Sequence, residues 1–484
     1  MIEFLISLWH YYLASVLHVV IAALMTVHIL LHKRHPRAAT GWIGLVWLSP
    51  FIGAIIYGLF GINRISRRAQ RIVIKQNQPR IITQASAVSP QRLEEVLNSD
   101  YHHLHDLVRV GDKATDRYLL DGNRVEPLLG GDEAYPRMVE AIRGAERSIT
   151  MLFYIFDHDR AGEPFVEALA EAHNRGVEVR VIIDAVGARY KKPKTSVALK
   201  KLGVPVAEFL PTQWSWLVRY ANLRNHRKLL IIDGKRGFTG GMNIREEHML
   251  SLDTKHPEAD LHFSVDGPVV THMQKDFAVD WDFCTGEMIE GDLWFPTIER
   301  VGDALARGIP EGPDENLYQL GAVIMAAMGC ARSSIHLCTP YFLPEEPIYA
   351  ELGLAAMRGV QVDILLPEKT NNSLVQWAST SQMSTLLTAG CRIWRIPEPF
   401  EHTKLMLVDG IWSLFGSANL DPRSLRLNFE FNVECYDRTL NRKLEEILAD
   451  KLDRAAPVAL EDIDSRGLPI KLRDNAARLA SPYL

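Results

Sequence analysis

Cysteine is scarce in this chain: five in 484 residues, Cys284, Cys330, Cys338, Cys391 and Cys435, widely spaced and without a C-x-x-C pair. That number and spacing argue against a disulfide framework or a cysteine zinc site and fit a reducing compartment. An excess of basic charge is also missing. Lys plus Arg is 54 against 59 for Asp plus Glu, a net of -5, so the chain as a whole has no general attraction for nucleic acid, and no nucleic-acid partner is expected. Nor is there a collagenous or heptad pattern, and with 47% apolar and 23% charged residues the composition is that of an ordinary folded protein. At roughly 150 residues per domain the length suggests about three units.

Charge is absent altogether from two stretches near the N-terminus. Phe4 to Leu31 (28 residues) and Ala38 to Ile62 (25 residues) contain no Asp, Glu, Lys or Arg, and each exceeds the about 20 helical residues that cross a bilayer core. A cleaved secretory signal fits poorly, because no Lys or Arg precedes the first run, the run is too long, and a second follows. The loop His32 to Arg37 is too short for a domain, so the expectation is a helical hairpin with both outer ends on one side, either transmembrane or re-entrant. Trp9, Tyr11, Tyr12, Trp42 and Tyr57 lie mostly towards segment ends, where such rings suit the headgroup layer. Three basic residues in the loop (Lys33, Arg34, Arg37) stand against five after the second run (Arg64, Arg67, Arg68, Arg71, Lys75). The larger group faces the cytoplasm, which places everything after residue 75 on the cytoplasmic side of a multi-pass inner-membrane protein. The same five residues also suit anionic headgroups.

The remaining 400 or so residues repeat themselves. His226-Arg227-Lys228 followed by Asp233-Gly234 has the form H-x-K-x-x-x-x-D-G, and so does His402-Thr403-Lys404 followed by Asp409-Gly410. Fourteen residues after each His stands Gly (Gly240, Gly416), and seventeen after each stands Asn (Asn243, Asn419). Upstream, Arg175-Gly176-Val177-Glu178-Val179 matches Arg358-Gly359-Val360-Gln361-Val362. This is internal duplication. Each copy reads as strand (Ile149 to Phe156; Ile335 to Phe342), helix (Pro164 to Asn174; Pro347 to Arg358) and strand (Val177 to Ile183; Val360 to Leu366), a βαβ unit. The H-x-K segment adds a strand, and Asp-Gly signals a two-residue hairpin turn. Such a turn sets Ile232 against Lys235, placing His226 opposite Gly241 and Lys228 opposite Thr239; in the second copy His402 faces Ser417 and Lys404 faces Phe415.

On a strand, residues i and i+2 share a face, so His and Lys of each motif point the same way. The Asp, at opposite parity and at the turn, is expected to act structurally, as in an ion pair beneath the site. Two such halves about a pseudo-twofold axis converge on one cationic cleft with an imidazole on each side. Lysines neutralise a phosphate as compact charges, Asn, Ser and Gly backbone groups donate to its other oxygens, one neutral His attacks phosphorus and the other protonates the leaving alkoxide. No metal-ligand spacing accompanies these residues, so no metal and no cofactor are expected.

The paired H-x-K-x-x-x-x-D with G-x-x-N resembles the phospholipase D superfamily, over roughly residues 130 to 450. The hydrophobic hairpin and the strings Asn225-His226-Arg227-Lys228, Gly240-Gly241-Met242-Asn243, Thr339-Pro340-Tyr341-Phe342 and Asn419-Leu420-Asp421-Pro422-Arg423-Ser424 are similar to bacterial cardiolipin synthases. The resemblance implies an α/β fold with two pseudo-symmetric sandwich halves forming one cleft behind the hairpin. It also implies phosphatidyl transfer between two phosphatidylglycerol molecules, giving cardiolipin and glycerol through a phosphohistidine, with these lipids and the bilayer as partners. Carried over by motif, the catalytic set is His226, Lys228, Asp233, His402, Lys404 and Asp409, with His226 as nucleophile and His402 as acid and base. The pseudosymmetry leaves the reverse assignment open. Gly240, Gly241, Asn243, Gly416, Ser417 and Asn419 would bind substrate, and Asp260 and Glu430 would stand as acids behind the histidines. Gly241 occupies the place of Ser417, so the first half lacks a hydroxyl that the second has.

The expected organisation is a hairpin over 1–62, a basic juxtamembrane segment and linker over 63–125, and the two halves over 126–300 and 301–484. Gly203 precedes His226 by 23 residues but Gly390 precedes His402 by only 12; the 11 extra residues lie around Trp214, Trp216, Leu217, Arg219, Tyr220 and Arg224, a mixture that suits a bilayer surface or an ordinary lid. Tyr101-His102-His103-Leu104-His105-Asp106 looks metal-like but lies outside both repeats. A phospholipase D hydrolase, a phosphatidylserine synthase-like transferase using another donor such as a CDP-activated lipid, and a membrane scaffold are the competing readings. Oligomeric state has no signal in the sequence.

Overall fold

The computed structural model describes residues 2–33, 36–49, 51–61, 86–189, 193–211, 223–313 and 318–481. They form two compact units, Met1–Ala69 and Gln70–Leu484. Arg34, the basic run Arg64 to Lys75 and the segment Trp214 to Tyr220 lie outside the described residues.

In the first unit the two uncharged runs fold differently from each other. The first is a single helix, Ile2–His32, whose stretch Trp9–His32 has mean hydropathy 2.2; it is the one helix among the described residues long and apolar enough to cross a membrane. The second run does not form a second helix of spanning length. It makes Pro36–Leu48, 13 residues or about 20 Å, which ends two positions ahead of Pro50 in the sequence, and then Ile52–Ile56 and a wide turn at Tyr57–Gly61. Proline has no N–H to donate and disfavours helix in the residue before it. The short pieces rest on the long helix through Ala22, Ile29, Val46 and Tyr57. Side-chain bonds fix them there, among them His28 Nδ1 to the Tyr57 hydroxyl at 2.8 Å and Trp47 Nε1 donating to Thr26 Oγ1 at 3.0 Å.

The second unit carries the repeat. Its first-half strands are β1 (Leu120–Leu129), β2 (Ser148–Phe153), β3 (Glu178–Asp184), β4 (Val206–Phe209), β5 (Arg224–Asn225), β6 (Leu229–Ile232), β7 (Arg236–Gly240), β8 (Glu258–Ala259) and β9 (Leu261–Asp266). The second half runs β10 (Ala304–Glu311), β11 (Ser334–Cys338), β12 (Gln361–Pro367), β13 (Arg392–Ile396), β14 (Phe400–Glu401), β15 (Leu405–Val408), β16 (Trp412–Gly416), β17 (Asn428–Tyr436) and β18 (Ala456–Pro457). The spatial order 1-9-7-6-2-3-4 returns as 10-17-16-15-11-12-13, and the equivalent strands β1 and β10 pair antiparallel, so one mixed sheet runs through both halves about a pseudo-twofold axis. Helices Glu163–Asn174 and Glu346–Met357 are the crossovers between the parallel pairs β2–β3 and β11–β12. Each has a proline as its second residue, which suits the first turn because an N–H there would have no helical partner. Each half buries its own apolar cluster.

Two expectations change. The Asp-Gly turns form, with Asp233 and Asp409 in the left-handed region (φ 52°) and Gly234 and Gly410 beside them. Lys235 N–H closes the first turn on the Ile232 carbonyl at 3.0 Å, but Lys235 is an extra residue on the return strand. Pairing therefore resumes at Ile232↔Arg236 and Leu229↔Thr239, one residue later than a two-residue turn dictates; Ile411 is the same extra residue in the second copy, where Leu405, not Lys404, faces Phe415. The H-x-K triplets thus lie just before β6 and β15, outside the hairpin ladders. The segment expected to be a linker is also not one in its described part. Leu97, Leu104, Leu107, Val108 and Leu119 are buried in the second half's core, and helix His105–Thr115 packs on helix Gln319–Cys330.

Candidate active site

Two short parallel pairings between the halves place the histidines. β5 runs beside β17 with Asn225 against Phe429, and the next residue, His226, donates its N–H to the Phe429 carbonyl at 2.8 Å. β8 runs beside β14 with Ala259 against Glu401, and His402 N–H donates to the Ala259 carbonyl at 2.7 Å. One step further along each pair, Glu430 meets His226 and Asp260 meets His402. His226 Nδ1 lies 3.0 Å from Glu430 Oε2, and His402 Nδ1 lies 2.7 Å from Asp260 Oδ2. Each imidazole is therefore oriented by a carboxylate from the other half.

The two carboxylates are held unequally. Glu430 accepts from the Ser417 hydroxyl at 2.5 Å and from Asn428 Nδ2 at 3.1 Å. Burial raises its pKa, but the charges and donors of His226, Lys228 and Ser417 outweigh burial and hold it below the usual carboxylate range. An ionised Glu430 accepts the Nδ1 proton of His226 and leaves Nε2 with its lone pair. Asp260 has the Leu261 N–H at 2.7 Å, and burial raises its pKa against the pull of Lys404. Burial likewise lowers both histidines: His226 is held up in part by Glu430, whereas His402 falls well below the usual value under the added charge of Lys404 and Lys228.

Lys228 Nζ donates to the His226 carbonyl at 2.7 Å and stands 5.7 Å from the Tyr154 ring; burial brings its pKa down to about 7. Lys404 Nζ lies 2.9 and 3.0 Å from the two ring nitrogens of His402, and burial lowers it too. Two buried ammonium groups with depressed pKa values form a site that gains from an anion.

The G-x-x-N loops close the cleft. A Cβ on Gly240 would meet the Leu261 carbonyl at 2.8 Å, and one on Gly416 the Phe431 carbonyl at 2.4 Å, so glycine is what lets each loop lie against its neighbouring strand. A Cβ on Gly241 would stand 2.4 Å from Asp260 Oδ1; where the second half uses Ser417 to donate to its acid, the first half has only space. Asn243 Oδ1 accepts from Ile155 N–H at 3.1 Å, and Asn419 is buried beside the same loop of the other half.

Asp233 and Asp409 stand at the turns and bind main-chain N–H groups beyond the far end of each hairpin. Asp233 accepts the N–H groups of Arg147 and Ser148 at 2.7 and 2.9 Å, ahead of β2. Asp409 accepts those of Arg332, Ser333 and Ser334 at 2.9, 2.8 and 3.0 Å, ahead of β11. Each lies seven positions beyond its histidine, past the strand, so they pin the far end of the hairpin. His103, from the histidine-rich stretch, reaches Asp409 at 2.7 Å, while His102 and His105 turn towards Glu94.

A pair of supports went unread in the sequence. Arg227 and Asn225 both bind Asp280, at 2.5 and 2.8 Å, and Arg227 also donates to the Glu430 carbonyl at 3.2 Å. At the matching place of the second half Glu401 binds Lys451 at 2.5 Å. The signal was a reversal of charge at matched positions, Asn225 and Arg227 against Glu401 and Thr403. His248 and Glu258 were missed as well. His248 is fully buried with its ring centroid 6.1 Å from that of His402, and burial pushes its pKa down to about 3 and that of Glu258 up to about 7.

A family model described as "Cardiolipin synthase, PLD-like domain" matches residues 138–281 and 324–452, one match in each half. The chain belongs to the cardiolipin synthase family of the phospholipase D superfamily. It is thereby an enzyme of the phosphatidyltransferase class. A second model, "Phospholipase_D-nuclease N-terminal", matches residues 20–61. Among relatives in the cardiolipin synthase family, "Cardiolipin synthase 2" of Bacillus anthracis is 31% identical over 469 residues, 94% of this chain and 88% of that protein. "Cardiolipin synthase" of Listeria monocytogenes serotype 4a (strain HCC23) is 30% identical over 98% of this chain and 99% of that protein. The crystal structure of phosphatidylserine synthase from Haemophilus influenzae Rd KW20 has the same fold, with TM-score 0.58 at 15% identity over 78% of this chain and 100% of that one.

Proposed function

We propose that this cardiolipin synthase family member joins two phosphatidylglycerol molecules into cardiolipin and glycerol, through a phosphohistidine on His226. The observation that carries the reading is the crossed pair of contacts, His226 with Glu430 and His402 with Asp260, which makes two differently tuned imidazoles in one cationic cleft. The donor's phosphodiester is held by Lys228 and Lys404. Its negative charge offsets the lysine charge that depresses His402, so His402 gains a proton on binding. His226 Nε2 attacks phosphorus, the bond to the glycerol oxygen breaks, and His402 gives that oxygen its proton. A free hydroxyl of the second phosphatidylglycerol then loses its proton to His402 and attacks phosphorus, and the bond to His226 breaks. Ester is exchanged for ester, so exclusion of water decides whether cardiolipin or phosphatidic acid forms.

The loop residues Gly240, Gly241, Asn243, Gly416, Ser417 and Asn419 are taken to shape the phosphate site, with Asp260 and Glu430 as positioning residues. The catalytic body is placed on the cytoplasmic side of the inner membrane. Support comes from the eight Lys and Arg residues between Lys33 and Lys75, all of which follow the one helix long enough to cross, against none before it, and from cysteines that are all free. The deciding experiment is incubation of purified protein with labelled phosphatidylglycerol in mixed micelles, followed by product separation. Cardiolipin with free glycerol is expected. Phosphatidic acid alone would make the protein a hydrolase, and an enzyme left without phosphorus label after quenching in alkaline denaturant, where a phosphohistidine survives, would remove the phosphohistidine.

A further inference from the structure

The last helix, Leu468–Leu479, leaves three leucines outside the fold. Leu468, Leu472 and Leu479 are 69%, 62% and 83% exposed, and at 100° per residue they fall within about 40° of arc. The opposite face is anchored. Ala477 joins Leu343 and Ala378 in a small apolar cluster, buried Asp474 takes Arg466 at 2.5 Å and Arg473 at 2.8 Å, and Arg473 lies 4.3 Å from the Trp377 ring. Lys471 and Arg478 flank the leucine stripe on one side and Arg473 on the other. A narrow apolar stripe with basic residues along its edges is the pattern of a helix lying in a bilayer interface, where the long basic side chains reach back to the headgroups.

Its position in the fold is also informative. β11 and β12 are parallel and β15 antiparallel to them, so the C-terminal ends of β11 and β12 share an edge of the sheet with His402. The helix Ser373–Thr380 starts from that edge, capped by Asn372, and it is the helix against which Leu468–Leu479 packs. A line of contacts connects it to the site: the Tyr341 hydroxyl bonds Asn371, the Tyr341 ring packs on Phe400 at 6.3 Å, and Phe400 on His402 at 5.8 Å. Leu374, on the rim helix, is a further exposed leucine.

We propose that helix Leu468–Leu479 is an interfacial helix that docks the rim of the cleft on an anionic phospholipid bilayer, with Leu468, Leu472 and Leu479 below the headgroups and Lys471 and Arg478 among them. This deepens the functional reading and rests on it, since a cleft that draws both substrates from a bilayer gains from being held against one. The test uses the full chain, reconstituted in phosphatidylglycerol vesicles and, separately, in detergent with dispersed short-chain phosphatidylglycerol. Leu472→Glu with Leu479→Glu is expected to lower kcat/KM on vesicles about tenfold or more while leaving turnover of the dispersed substrate within twofold, and Leu472→Phe is expected to be neutral on both. A fluorophore on Leu472→Cys, in a background lacking the native cysteines, should be quenched by brominated lipid in anionic vesicles. Equal loss on both substrates, unchanged vesicle turnover, absence of quenching, or a change of oligomeric state in the Glu variant would each overturn the proposal. If the unmodified chain makes no cardiolipin from either substrate while the quenching persists, it is the functional reading that fails and not the docking.

Discussion

Glu430 orients His226 from the opposite half of the molecule, 3.0 Å from its Nδ1 and 204 positions away in the chain. Asp260 does the same for His402 in the reverse direction. Neither repeat holds a complete histidine–carboxylate pair by itself, so the reacting groups exist only once the halves are joined. The join is made by main-chain pairing at β5–β17 and β8–β14, which fixes the register to within one residue.

Glu430→Gln keeps the shape and removes the charge. It is expected to lower kcat about 10²-fold or more and to move the acidic limb of the kcat/KM profile to lower pH, because His226 loses the charge that holds up its pKa. Asp260→Asn should act on the limb that reports His402 instead. Profiles of the two variants that shift identically would contradict the division of roles.

Gly241→Ser would make the first half look like the second. Its Cβ would stand 2.4 Å from Asp260 Oδ1, so Asp260 must move away from His402, and a fall in kcat of at least about tenfold is expected with folding intact. Ser417→Ala, which removes a donor to Glu430 and an acceptor for the Phe431 N–H without a clash, should cost less. Steady-state kinetics beside circular dichroism check both, and wild-type activity in Gly241→Ser would refute the steric argument.

Lys228 makes a testable contribution to stability. Its folded pKa of about 7 lies below the usual lysine value of roughly 10.4, so between those values the unfolded chain binds more protons and the Lys228 contribution favours the fold increasingly as pH rises. Buried thiols with raised pKa values oppose this above their usual value of about 8.5, which sets the measuring window at about pH 7–8.5. Denaturation curves of wild type minus Lys228→Met should slope upward across it, and saturating inorganic phosphate should flatten the slope. A downward slope in the difference would contradict the assignment.

Asp280 neutralises Arg227, which is 2% exposed. Asp280→Ala leaves that guanidinium buried beside the Glu430 carbonyl without its counter-charge and is expected to destabilise the fold by about 3–5 kcal/mol. Lys451→Met should weaken the second half in the same way through Glu401. Urea midpoints within experimental error of wild type for both would show that these supports are dispensable.

Much of the architecture was legible because it is local. The strand–helix–strand order of each half follows from periodicity over 4 to 12 residues. Small errors arose where one residue decides the geometry. Lys235 and Ile411 each add a residue after a correctly read turn and shift the ladder by one, and the second uncharged run, which by length alone would span, ends its helix at Leu48. Leu97, Leu104, Leu107 and Val108 sat in a polar-looking stretch whose core function depends on a distant helix to receive them.

The sequence by itself determined that there are two copies of one phosphate-directed motif, which residue types they bring, and that an uncharged helix precedes them, because each of these is a matter of composition and spacing along the chain. Only the tertiary structure decided which carboxylate serves which histidine, which main-chain groups Asp233 and Asp409 hold, and that Gly241 makes room where Ser417 makes a bond. Those outcomes depend on contacts between segments a hundred or more residues apart, or on the strand packed beside a turn. Pairing register across such distances is set by how the two halves pack, and leaves no local mark in the order of residues.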